Sequence, residues 1–128
     1  MTNVLLVGLG SALGGMARYG VATGFAAKFG PGFPIGTLIA NVSGSFLIGL
    51  IFALTGTAGK WPLPAGGKFF FMTGLMGGYT TFSAFSLETV NLLRSGQSGM
   101  AILYVIGSLV LCLVAAWLGL LLGQTLNR

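Results

Sequence analysis

The sequence predicts an all-α membrane protein of four transmembrane helices, the third broken near its middle, working as an antiparallel dual-topology homodimer. Three observations carry this expectation. Of 128 residues, 55% are hydrophobic and 5% are charged, with a mean hydropathy of +0.96; a soluble domain carries about 25% charged residues. Four apolar runs, each near the roughly 20 residues needed to cross a bilayer, are separated by short connections rich in helix breakers. The few Lys and Arg residues divide almost evenly between the two sides of such a bundle, so little orients the chain.

The first helix is expected over about 3–27. No Lys or Arg precedes its apolar run, so it reads as a retained helix and not as a signal peptide. Gly30, Pro31, Gly32 and Pro34 punctuate the connection to a second helix over about 35–55. The loop that follows carries Lys60, Trp61, Pro62 and Pro64, with Trp61 suited to the headgroup level. The third helix covers about 68–93, with its break expected near Gly77. From Lys68 to Arg94 the crossing is roughly 39 Å at about 1.5 Å per residue, which places Thr80 and Thr81 near its middle. The fourth helix covers about 100–126, and residues 1–128 form a single transmembrane domain.

Four crossings put both termini on one side. Lys60, Lys68 and Arg128 then face Lys28 and Arg94 across the membrane, with Arg18 nearer the latter end. Insertion in both orientations, and antiparallel pairing, follow as expectations. Small-xxx-small spacings at Gly10 and Gly14, Gly20 and Gly24, Ser45 and Gly49, Gly74 and Gly78, and Gly119 and Gly123 favour close helix packing.

Several classes are excluded or weakened. The basic residues form no patch for nucleic acid. With no His and one acid, Glu88, neither a side-chain metal cluster nor a paired-carboxylate enzyme site is available. The single Cys112 precludes an intrachain disulfide. The glycines of Val4–Gly14 imitate a dinucleotide-binding turn but lack the acidic residue that should follow.

The strongest functional signal is Gly77-Gly78-Tyr79-Thr80-Thr81-Phe82-Ser83-Ala84-Phe85-Ser86, with five hydroxyl side chains and two phenylalanines inside one crossing. Polar backbone is tolerated at such depth only where protein or a cavity surrounds it, and broken helices there build ion sites. Phe82 and Phe85 can turn positive ring edges to an anion or can be core residues. Thr37 and Asn41 share a helical face; the Asn41 amide can donate to an anion or bond another helix. Tyr104, Ser108 and Cys112 form an i,i+4 stripe, either a track of uncharged donors or packing contacts. Arg18 is a vestibule cation or a snorkelling side chain. Glu88 is a pore-mouth residue or an ion-pair partner of Lys28 or Arg94.

Taken together, Gly36-Thr37-Leu38, Asn41 and Gly44-Ser45-Phe46 resemble the second helix of the bacterial fluoride channels called CrcB or Fluc. Gly74, Gly77–Ser86 and Glu88 resemble their third helix, and Gly14–Tyr19 fits as well. The resemblance implies a passive fluoride channel and not an enzyme, in a bacterial inner membrane, as an antiparallel dimer with two pores. It implies a fluoride pathway along Asn41, Phe82, Phe85, Ser83, Thr37, Tyr104, Ser108 and Cys112, with Arg18 and Glu88 at the vestibules. It also implies a structural sodium ion at the dimer centre, held by the backbone carbonyls of Gly77 and Thr80. Ala84 and Cys112 depart from the pattern, standing where hydroxyl residues are frequent. The alternative is a small dual-topology proton-coupled exporter of organic cations, for which Glu88 is the only available acid.

Overall fold

A computed structural model describes residues 1–128, and every hydrophobic segment is helical. Helix α1 spans Thr2–Phe29 and α2 spans Ile35–Thr55. The third segment contains α3 (residues 65–79) and α4 (Phe82–Arg94), and α5 spans Ser98–Leu126. Three helices, α1, α2 and α5, are long and apolar enough to cross a membrane. The chain is therefore a helical membrane protein.

The connections follow local chemistry. Gly30 ends α1 at φ 78° and Gly96 turns the chain between α4 and α5 at φ 77°, backbone that other residues rarely adopt. Pro34 precedes α2, where its missing N–H costs nothing. Lys60 N–H donates to Asn127 Oδ1, and Asn127 Nδ2 donates to the Ala53 carbonyl, so the C-terminus pins the loop after α2.

Helix α3 is not uniform. Phe69–Met76 is π-helical, between short α-helical pieces at Ala65–Lys68 and Gly77–Tyr79. Thr80 (φ −85°, ψ 156°) and Thr81 (φ −152°, ψ 123°) are extended. Gly77, where the sequence reading placed the interruption, is itself helical at φ −63°, ψ −34°. Glycine permits a departure from helix without compelling one; the departure lies where a side chain receives the freed backbone groups.

Helix α1 packs along α3, α2 along α5, and α4 against α5. Two interfaces are backbone on backbone. A Cβ on Gly10 or Gly14 would strike the carbonyl oxygens of Phe70 or Leu75, and one on Gly78 would strike that of Ser11. On the other pair, a Cβ on Gly49 or Gly119 would strike the carbonyls of Ala116 or Phe46. These spacings thus do pack helices within the chain. Gly20 and Gly24 do not: nothing lies within 4 Å of a Cβ added at either.

Only 18 of 128 residues are buried, the core cluster being Phe85, Leu92, Ala101 and Tyr104. Large apolar side chains on α1 and α5, such as Leu9, Leu13, Leu113 and Trp117, face outward. Lipid or another chain must cover them.

Candidate functional site at the helix interruption

Where the backbone leaves the helix at Thr80 and Thr81, its polar groups need new partners. The Asn41 side chain provides two. Its Oδ1 accepts from Thr81 N–H at 2.7 Å, and its Nδ2 donates to the Thr81 carbonyl at 3.0 Å. Asn41 from α2 thus reads the extended residue as a neighbouring strand would. The Thr81 hydroxyl then caps α4, accepting from Ala84 N–H at 3.2 Å, and Ser83 Oγ lies 3.2 Å from it. Thr80 is tied back through its own N–H and hydroxyl, both donating to the Met76 carbonyl at 3.0 and 2.9 Å. The Thr80 carbonyl accepts no hydrogen bond within the chain, and that of Gly77 accepts none from a turn, loop or side chain.

Helix α1 supplies donors to the same stretch. Arg18 Nε donates to the Gly78 carbonyl at 3.3 Å, and Ser11 Oγ to the Gly74 carbonyl at 3.4 Å. Arg18 therefore turns toward α3 and binds it.

A cavity of about 340 Å³ opens beside the interruption. Phe82, Phe85, Asn41, Thr80 and Thr81 line one side, and Ser108, Leu109, Cys112 and Leu113 of α5 the other. No charged side chain lines it. Phe82 is 74% exposed and Phe85 8%, with ring centroids 5.3 Å apart. Ser108 is buried and its Oγ has no hydrogen-bond partner.

Behind Phe85 the ring series continues to Tyr104 at 5.2 Å and from there to Phe33 at 5.4 Å, edge-on. Tyr104 is buried and does not line the cavity that Ser108 and Cys112 line. Its hydroxyl donates to Glu88 Oε2 at 2.7 Å, while Thr37 Oγ1 donates to Glu88 Oε1 at 2.7 Å. The single carboxylate is thus held by two hydroxyls, and the pairing with Lys28 or Arg94 considered from the sequence is not made. Thr37 and Glu88 also line a second cavity of about 430 Å³, with Phe33 and Tyr19. The site residues therefore fall into two neighbouring groups, one at each cavity, joined by Phe85 and Tyr104. The exceptions are Gly77, which is exposed, and Arg18 and Ser83, which lie outside both linings.

Sequence reasoning did not single out the bond between the Ser43 and Tyr79 hydroxyls (2.9 Å), nor Thr81 as the residue Asn41 holds. The run of hydroxyls around Tyr79 was the available signal.

Fold and site together define a small helical membrane protein whose polar and aromatic cavity lies beside an extended backbone segment. The family described as CrcB-like protein, Camphor Resistance (CrcB), matches residues 5–120, and the chain belongs to that family. It is 50% identical over 127 residues to a fluoride-specific ion channel FluC of Opitutus terrae, covering 99% of this chain and 96% of that protein. It is 45% identical over 129 residues to one of Coxiella burnetii, covering 97% of this chain and 99% of the relative. With one of Methylocella silvestris the identity is 48% over 127 residues, 98% of this chain and 96% of the other.

Proposed function

We propose that the chain is a passive, fluoride-selective channel that exports cytoplasmic fluoride across a bacterial inner membrane. Full-length similarity to proteins named fluoride-specific ion channels supports the substrate. The observation that carries the reading is the lining of the cavity at the interruption, with Asn41, Ser108, Cys112, Phe82 and Phe85 and no charge. Uncharged donors and positive ring edges attract an anion without the deep binding that a Lys or Arg would impose. The route runs from this cavity past Phe85 and Tyr104 to the cavity at Thr37 and Glu88. At a membrane potential of about 100 mV, negative inside, outward movement of each fluoride is favoured by about 2.3 kcal/mol. Expression in a fluoride-sensitive bacterium is expected to restore growth in fluoride. Unrescued growth with the protein present in the membrane would oppose the reading.

The working unit in this proposal is an antiparallel homodimer, favoured by the nearly even Lys and Arg count and the outward apolar faces. The third segment crosses as one helix broken at Thr80 and Thr81. The carbonyls of Gly77 and Thr80 fit a hard cation. Two chains brought together at their interruptions supply four such oxygens for one structural sodium ion. Its charge satisfies carbonyls that would otherwise be buried unpaired. An experimental structure in sodium is expected to show a two-fold axis in the membrane plane, with density between four carbonyls. A parallel dimer, or an axis without density, would refute the corresponding part.

A further inference from the structure

We infer that Cys112 is a covalent-modification site for small organomercurials, and that an adduct there closes the cavity at the interruption; the closure rests on that cavity being the anion route. Three observations converge on the thiol. Cys112 is partly exposed and lines the cavity of about 340 Å³. Ser108, one helical turn earlier on the same face, lines the same cavity. It is 6% exposed, and its Oγ is buried without a partner, so the cavity wall holds a polar group that nothing in the chain satisfies. Ile48, Leu109 and Leu113 add apolar wall beside Cys112, and the polar part of the lining, Asn41, Ser45, Thr80, Thr81 and Ser108, carries no charge.

That combination selects the ligand class. A hydrated cation would have to shed water into a lining with no anionic side chain to receive it. Methylmercury chloride is uncharged, partitions into apolar surroundings, and carries a soft metal that prefers sulfur. The Cys112 sulfur displaces chloride: an Hg–S bond forms, the Hg–Cl bond breaks, and the thiol proton passes to solvent. No electrons change hands, and the products are the S-methylmercury adduct, chloride and a proton. Met76 also lines the cavity, but its thioether has no proton to release and gives no stable adduct. Cys112 is the only cysteine, so the chemistry has one address. Once attached, the methylmercury group lies between α5 and the rings of Phe82 and Phe85.

The test treats the folded protein in liposomes with methylmercury chloride, then reads intact mass, peptide map and fluoride release. Wild type and Cys112→Ser are each compared with their own untreated release. The expected result is one adduct at Cys112 and release reduced to the protein-free background, with treated and untreated Cys112→Ser alike. A thiol that reacts only after denaturation would overturn the site, and an adduct with full release would overturn the closure. Absence of release from untreated wild type would sink the channel reading and the closure with it, while the mass would still decide whether the thiol is reachable.

Discussion

Gly14→Ala is expected to lower the melting temperature of the purified protein sharply, whereas Gly15→Ala leaves it unchanged or raises it. The two glycines are adjacent in α1 and both substitutions gain about 1 kcal/mol of helix propensity. Their surroundings differ. A Cβ on Gly14 meets the Leu75 carbonyl oxygen, and Tyr79 N lies 2.7 Å away; nothing lies within 4 Å of one on Gly15. Backbone cannot rotate aside as a side chain can, so α1 must separate from α3. Overpacking typically costs about 1–3 kcal/mol, and a backbone clash belongs at or above the upper end. Separation would also detach Arg18 from the Gly78 carbonyl, loosening the segment that carries the interruption. Equal melting temperatures for the two variants would show that the α1–α3 contact is not as close as described.

Asn41→Leu is expected to abolish fluoride release and to reduce the yield of folded protein. Leucine has the same number and branching of side-chain heavy atoms as asparagine but neither donates nor accepts, leaving Thr81 N–H and C=O unpaired. Each such group in an apolar surrounding costs roughly 2–7 kcal/mol by transfer scales. Asn41→Asp separates holding the backbone from serving the route. Its carboxylate still accepts from Thr81 N–H but, when ionised, faces the Thr81 carbonyl and adds a negative charge to a lining that has none. The expected outcome is a folded protein with strongly reduced release. Near wild-type release from both variants would return Asn41 to a position of no consequence.

The helical membrane class was legible because composition decides it: seven charges in 128 residues cannot solvate a globule. The close approach of α1 to α3 was legible as Gly10, Gly14, Gly74 and Gly78, since small residues at that spacing permit it. The π-helical stretch at Phe69–Met76 was not, because a near-continuous apolar run has no periodicity that separates one helical register from another. The position of the interruption was displaced for a related reason. Gly77 and Gly78 are the local breakers, yet the backbone becomes extended at Thr80 and Thr81, where Asn41, 40 residues away, receives it. Glu88 and Thr37 are 51 residues apart, so no local pattern could pair them. Tyr104, Ser108 and Cys112 all lie on α5, but Tyr104 is buried between Phe85 and Phe33 while Ser108 and Cys112 line the cavity, a division that spacing alone does not show.

The most direct measurement is ion release from liposomes holding the purified protein, recorded in parallel with fluoride and with chloride as the internal anion. Fluoride is expected to leave rapidly once a permeant counter-ion pathway is opened, while chloride release stays at the level of protein-free liposomes. Matching rates for the two anions, or fluoride release no faster than from empty liposomes, would contradict the assignment of a fluoride-selective channel.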